Sequence, residues 1–308
     1  MALNLTGQPL IDRADFPELL AAGHFGRWSA EASALHDHGF CVLSLEDPAF
    51  LATLEAVIGE LEPHLAEPLS LWDRGDGSTP RLQDGWLRHA AIRRLALEPL
   101  VFDLLRTVYG REPFAFQTLN FAVGSEQPYH SDAIHFHSYP LGFMCGVWIA
   151  LQDVEHESGP LIYYPGSHRL SYLSAHSLQL DPSQVAAEPH PQRFFQDHWQ
   201  AAVQEGGFPL TRFLAKRGEV LIWHANLLHG GEPVLNRSCR RWSQVVHFFF
   251  ADCLYTTPLC SFGAADGGPF LRNPLDLSTG QPRYSKQEWD NLGLSTPRKP
   301  PLVRPPSR

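Results

Sequence analysis

The 308-residue chain holds only three lysines, Lys216, Lys286 and Lys299, and carries a formal net charge of −9 at neutral pH. Proteins that grip nucleic acid or an anionic membrane present clustered basic surface, so this shortage argues against both partners. Five cysteines, Cys41, Cys145, Cys239, Cys253 and Cys260, form no Cys-x-x-Cys pair, and their odd number leaves at least one unpaired. That suits buried thiols in a reducing compartment rather than a disulfide framework. The opening Met-Ala-Leu-Asn-Leu-Thr-Gly-Gln-Pro lacks the basic segment and apolar run of a secretion signal, and no stretch is long enough to span a bilayer. A soluble, cytoplasmic monomer or homodimer is expected. Apolar residues make up 44% of the chain, which is ample for a packed core.

What the chain does have is histidine, 16 in all, and one stretch that concentrates them: Gln127-Pro-Tyr-His-Ser-Asp-Ala-Ile-His-Phe-His137. His130 and Asp132 stand two apart, and on extended backbone that spacing turns both side chains to one face, where an imidazole and a carboxylate can share a metal ion. Two histidines and one carboxylate on one side of an octahedral iron leave the opposite positions open. The third ligand is therefore sought downstream, and His229 in Trp223-His-Ala-Asn-Leu-Leu-His-Gly-Gly231 closes an apolar run before two glycines. By itself a His-x-Asp pair is weak, because with 33 acidic residues chance pairs are common, and a solvated His–Asp couple is the plainer use of such residues.

The order of further segments adds the specificity that the pair lacks. Gln117-Thr-Leu-Asn-Phe121 precedes it. After it come Trp148-Ile-Ala-Leu-Gln-Asp153, Ser158-Gly-Pro-Leu161, Pro165-Gly-Ser-His-Arg169, Arg217-Gly-Glu-Val-Leu-Ile222, His229-Gly-Gly231 and a strand-like run from Arg241 to Phe249. In this order, residues 112–257 resemble the phytanoyl-CoA hydroxylase family of Fe(II)/2-oxoglutarate-dependent oxygenases, to which ectoine hydroxylase also belongs. The resemblance implies a mainly β fold, a double-stranded β-helix or cupin-like jelly roll, supported by helices. It also implies a non-haem dioxygenase that uses Fe(II), 2-oxoglutarate and O2 to hydroxylate a small-molecule metabolite, releasing succinate and CO2.

Periodicity divides the rest of the chain. Residues 1–111 read as helical support with one or two strands. Helices are expected within 15–38, with Asp15 as N-cap and Gly39 as the stop; a strand is expected at 40–45; a helix opens at Asp47-Pro48; another runs from His89 to Tyr109. Between Glu67 and Trp86 the helical pattern breaks, and Asp73–Pro80 reads as a polar loop. Residues 112–257 alternate short β-branched and aromatic runs with Gly and Pro turns, as an antiparallel sandwich does. Within them, 174–213 reads as a helical insertion, either a lid or packing over a sheet edge. A C-terminal extension covers 258–294, and the proline-rich 295–308 reads as a disordered tail.

Matching the family's motifs residue by residue assigns His130, Asp132 and His229 as metal ligands and catalytic centre. The far carboxylate of 2-oxoglutarate calls for a planar bidentate cation, hence arginine. Aligning the strand favours Arg241, while the family's usual spacing from the distal histidine favours its neighbour Arg240. Gln117 and Trp148 match cosubstrate-pocket positions, against a solvated strand residue and ordinary core packing. His135 and His137 follow the metal pair closely enough to face substrate, or to sit on the rim. His224 is the second choice for the distal ligand, His168 reads as loop support, and His247 as a core histidine. Asp132 argues against halogenation, which needs a small residue there to admit halide. A cupin-like metalloenzyme of another class and a non-catalytic jelly roll remain as alternatives. The absence of a lysine cluster favours an uncharged or polar substrate.

Overall fold

In this computed structural model, which describes residues 3–75, 79–266 and 268–292, every residue of Ser243–Phe250 is buried. A strand buried on both faces needs a layer on either side. It sits inside a six-stranded antiparallel sheet whose order is Phe40–Ser44, Glu219–His224, Met144–Ala150, Ser243–Phe250, Pro113–Phe121 and Arg81–Gln83. The N-terminal support thus contributes both edge strands. Directly paired residues share a face of a sheet, and the pairs Trp148↔Val245, Val245↔Leu119 and His247↔Gln117 fix one face. A three-stranded sheet of Thr211–Phe213, Leu161–Tyr163 and His229–Gly231 covers that face, and Leu161 and Tyr163 join Trp148, Leu221, Trp223 and Val245 in one apolar cluster. This is the jelly roll that the sequence resemblance implied.

The other face is closed by helices. On Pro99–Tyr109, Phe102 meets Phe248 edge-on at 5.3 Å and Tyr109 stacks on Phe250 at 4.1 Å. Pro48–Asp73 buries Leu54, Val57, Leu61, Leu65, Leu69 and Trp72 as one stripe, with Asp47 capping it by accepting from the Ala49 and Phe50 amides. That helix therefore runs six residues past the expected break at Glu67, because Leu65, Leu69 and Trp72 keep the helical spacing of the buried stripe despite Pro63 and Pro68. The single helix expected from His89 to Tyr109 is two, Ala90–Ala96 and Pro99–Tyr109, since Pro99 starts a new helix with Glu98 as its cap. Asp15 makes no capping bond; its carboxylate is taken by Arg13 at 2.5 and 2.7 Å. Gly39 does end Ser29–His38, in the left-handed conformation.

The insertion carries two helices, Pro182–Ala187 and Arg193–Gly206, and the C-terminal extension adds the short strand Leu271–Arg272 to Leu254–Thr256, which pairs in turn with His137–Tyr139. The expected tail at 295–308 lies outside the described residues. Among the described residues no helix is long and apolar enough to cross a membrane.

Among the described residues, two buried imidazoles form no ion pair of their own. His137 stacks on Tyr172, and His168 binds the His36 carbonyl beside His224. Burial pushes both below the usual imidazole value, His137 to about 4 and His168 to about 3. Below about pH 6.5 the unfolded chain takes up protons that the fold refuses, so their contribution is complete above that pH and is lost as pH falls toward 4 and 3. The free energy of unfolding should fall between pH 7.5 and pH 5, and His168→Gln should flatten that decline by roughly 1–2 kcal/mol in denaturant titrations at the two pH values. An identical pH profile for the variant would count against the assignment.

Candidate metal and cosubstrate site

Ser131 is extended (φ −104°, ψ 129°), so its neighbours His130 and Asp132 project to one side, as their spacing requires. The third residue arrives through the backbone. His130 N–H donates to the His229 carbonyl at 2.8 Å and His229 N–H returns the bond at 3.0 Å, one antiparallel bridge that sets the two imidazoles 4.7 Å apart. Each ring is then locked the same way: Nδ1 lies 3.0 Å from the Pro128 carbonyl in His130 and 2.9 Å from the Leu227 carbonyl in His229. A carbonyl only accepts, so Nδ1 carries the proton and Nε2 keeps its lone pair. Both Nε2 atoms lie 3.7 Å from the Asp132 carboxylate, and one ligand atom from each of the three residues falls within 4.8 Å of the others. All three residues are buried.

Asp132 is positioned from behind. Trp223 Nε1 donates to its Oδ2 at 2.9 Å, leaving Oδ1 free. The indole fits only because residue 146 is glycine: a Cβ there would lie 2.2 Å from the Trp223 ring. His247, on the central strand, donates through Nδ1 to Gln117 Oε1 at 3.0 Å and turns Nε2 to within 3.5 Å of Asp132 Oδ2. It is therefore part of this site and not the core histidine expected. Burial works to raise the Asp132 pKa, but the neighbouring imidazoles of His229, His247 and His130 hold the carboxyl well below its ordinary range. Burial also keeps His229 neutral, its pKa lowered to about 4.

Arg241 lies on the same face of the central strand, two and three steps of two before Val245 and His247. Its side chain is 1% exposed, donates through Nη1 to the Gly159 carbonyl at 2.6 Å and lies 5.8 Å from the Trp148 ring centre. Its Nε and the Trp148 Nε1 are buried donors with no partner, and among the described residues no carboxylate pairs with Arg241. Burial alone lowers its pKa to about 10. Arg240 points the other way and is already neutralised by Asp73 at 2.7 and 2.9 Å.

A cavity of about 1050 Å³ joins these groups. Gln117, His130, Asp132, His135, Trp148, His229 and Arg241 all line it, together with His247 and residues 185–193 of the insertion. His135 is tied to that insertion by Nε2···Oε1 of Gln192 at 3.0 Å. His137 does not line the cavity; it pairs with Thr256 and stacks on Tyr172. His224 faces the opposite side from Trp223 and meets Asp12 at 3.3 Å. His168 stands where a Gly39 side chain would collide with it, in the loop-supporting place expected. Sequence reading overlooked Trp223, Gly146 and His247. For His247 a signal existed, since residues 241, 243, 245 and 247 share one face of a strand.

A jelly-roll sandwich around a His-x-Asp…His cluster that could hold a metal ion, with a buried arginine in the same cavity, defines the class of the protein. Residues 35–242 match the phytanoyl-CoA dioxygenase (PhyH) family. The chain belongs to that family. Phytanoyl-CoA dioxygenase domain-containing protein 1 of Danio rerio is 31% identical over 107 residues, 31% of this chain and 37% of its own, and the Mus musculus protein is 34% identical over 81 residues, 25% and 28%. These alignments span about a third of the relatives' length. Among solved structures, EctD from S. alaskensis with bound Fe superposes with a TM-score of 0.53 at 20% identity over 72% of this chain and 76% of its own. The non-haem α-ketoglutarate-dependent carbocyclase SnoK from nogalamycin biosynthesis gives 0.54 at 17% identity over 83% and 93%.

Losing the indole N–H bond frees the Asp132 carboxylate to rotate. Trp223→Phe should weaken binding of Fe(II) or Co(II) by about 10–100-fold with the fold intact by circular dichroism. Unchanged metal affinity would remove Trp223 from the site's support.

Proposed function

We propose that this protein is an Fe(II)/2-oxoglutarate-dependent oxygenase that hydroxylates an unactivated C–H bond of a small-molecule substrate. The observation that carries this reading is the buried Arg241, which has a donor to spare in the cavity that also holds the two imidazoles and Asp132. Two neutral nitrogen donors and one carboxylate suit Fe(II) with positions left open, whereas structural zinc takes a closed set of four. His130 Nε2, His229 Nε2 and the Asp132 oxygen not held by Trp223 are the atoms that would hold it.

When bound, Fe(II) and 2-oxoglutarate together supply O2 activation and the oxidising power for the C–H bond, with succinate and CO2 as coproducts. The chain supplies placement and shielding. Arg241 receives the far carboxylate of the cosubstrate as a charge-assisted pair in a dry setting, with Trp148 as the wall beside it. The Pro128 and Leu227 carbonyls keep Nδ1 protonated in both histidines, so each Nε2 stays a donor to metal. Gln117 holds His247 beside Asp132. Residues 185–193 roof the cavity and exclude water, tied down through Gln192 to His135, which is the lid role for the insertion. The retained Asp132 speaks for hydroxylation rather than halogenation, and an arginine left waiting for an anion has no use in a cupin-like enzyme of another class.

Anaerobic titration of the metal-free protein with Fe(II) and 2-oxoglutarate should produce the weak visible metal-to-ligand charge-transfer band. His130→Ala should abolish it. Arg241→Gln should weaken 2-oxoglutarate binding at least about tenfold, the cost of removing one partner of a buried charge pair, with Fe(II) affinity retained. Iron binding without the band in the native protein would defeat the reading.

A further inference from the structure

The cavity is larger than the metal and cosubstrate need, and its remaining wall is unevenly charged. Four arginines line it, Arg81, Arg193, Arg241 and Arg272, against two acidic residues, Asp132 and Glu188. Arg193 pairs with Glu188 at 3.0 Å near the surface, and Arg81 is exposed on the rim. With Arg241 given to 2-oxoglutarate and Asp132 to the metal, Arg272 is the cation left over in the interior. This excess of positive charge is local, because the chain as a whole is strongly acidic.

Arg272 is built in rather than draped over the surface. It lies on the short strand paired to Leu254–Thr256, half-buried, with its guanidinium 4.8 Å from the Phe136 ring centre and 5.9 Å from that of Phe116. One donor, Nη1, is used on the His135 carbonyl at 3.1 Å. Among the described residues it forms no ion pair with any acidic side chain; Asp84 acts on it only through space, and burial lowers its pKa to about 10. The Phe136 ring that it covers lies 4.9 Å from His247, which in turn touches Asp132. Arg272 therefore stands one aromatic layer from the metal ligands, on a side of the cavity that His135, Phe136, Leu259 and Cys260 also line. A guanidinium fork with free donors, apolar surroundings and no internal counter-ion is the arrangement that recognises a carboxylate.

We propose that Arg272 is the substrate anchor: it binds an anionic group, a carboxylate, on a substrate whose apolar part lies along Phe136 toward the metal. This rests on the oxygenase reading above and narrows the sequence-based preference for an uncharged or polar substrate to one that carries an anionic group. A purely structural Arg272, serving only Phe136 and the His135 carbonyl, predicts a different pattern of binding, so the two can be separated.

The test is calorimetric titration of hexanoate and of its neutral isostere hexanamide into the anaerobic protein saturated with Fe(II) and 2-oxoglutarate, with the charge-transfer band followed in parallel. Native protein should bind hexanoate at least about tenfold more tightly than hexanamide, the scale of a charge-assisted bond. Arg272→Met should erase that preference while leaving hexanamide binding and the band in place, and Arg272→Lys should restore part of it. Equal binding of the two probes by native protein, no measurable hexanoate binding, or a parallel loss of both in Arg272→Met would overturn the assignment. A missing band with the Arg272-dependent preference intact defeats the oxygenase reading alone; a normal band without the preference defeats this one alone.

Discussion

Two backbone hydrogen bonds between His130 and His229 hold the site together. They join segments that are far apart in sequence and fix the distance between two imidazoles without using either side chain. Because the rings take no part in the bridge, both are free for metal, and because each Nδ1 is spent on a carbonyl two residues earlier, each can present only Nε2. A single antiparallel pair thus settles ligand spacing and tautomer together. Gly230 and Gly231 belong to the same arrangement, since a Cβ at Gly230 would lie 2.7 Å from the Gln127 carbonyl that binds the Gly231 amide. The bridge can form only where that backbone comes close.

Around this bridge the fold tolerates charges that a stable core would ordinarily avoid. Removing a carboxylate or a guanidinium from water costs several kcal/mol unless good partners replace the water. Asp132 has its partners in Trp223 and the surrounding imidazoles. Arg241 has one carbonyl and an unfilled donor. Such a group is explained by what it waits for, and the stability it forgoes is recovered in the apolar layers on either side of the sheet.

Those layers also explain the rigidity of the site. One face of Ser243–Phe250 carries Val245 and His247 into the cavity while the other is sealed by the helices Pro48–Asp73 and Pro99–Tyr109. Where His247 pairs with Gln117 and Phe248 with Ala115, Phe116 is the extra residue of a bulge. The bulge lets Phe116 stack on Phe249 and meet Phe136 while Gln117 still reaches His247. Bulges re-aim side chains in this way beside functional sites. The same Phe116 and Phe136 then carry Arg272, so the metal ligands and the far wall of the cavity are parts of one packed unit.

What the sequence determined by itself was the candidate set of metal ligands and the kind of fold around it. A period of two makes His130 and Asp132 co-facial on any extended backbone, Gly and Pro turns separate β-branched runs, and the ordered motifs carry the family; none of these depends on knowing where distant segments meet. It also read the helix start at Asp47-Pro48 and the stop at Gly39, which are local. Helix length was less legible, because Leu65, Leu69 and Trp72 are kept helical by burial against other elements, a tertiary effect that outweighs two prolines. The choice between Arg240 and Arg241 needed the strand's neighbours: adjacent residues face opposite ways, and only the position of Asp73 on one side and of the cavity on the other gives each face its meaning. The same holds for His247, read as core until Asp132 stands beside it, for Trp223 with the space left by Gly146, and for Arg272, which lies beyond the recognisable motifs. Their roles come from long-range packing, and a linear pattern carries spacing along the chain but not contact across it.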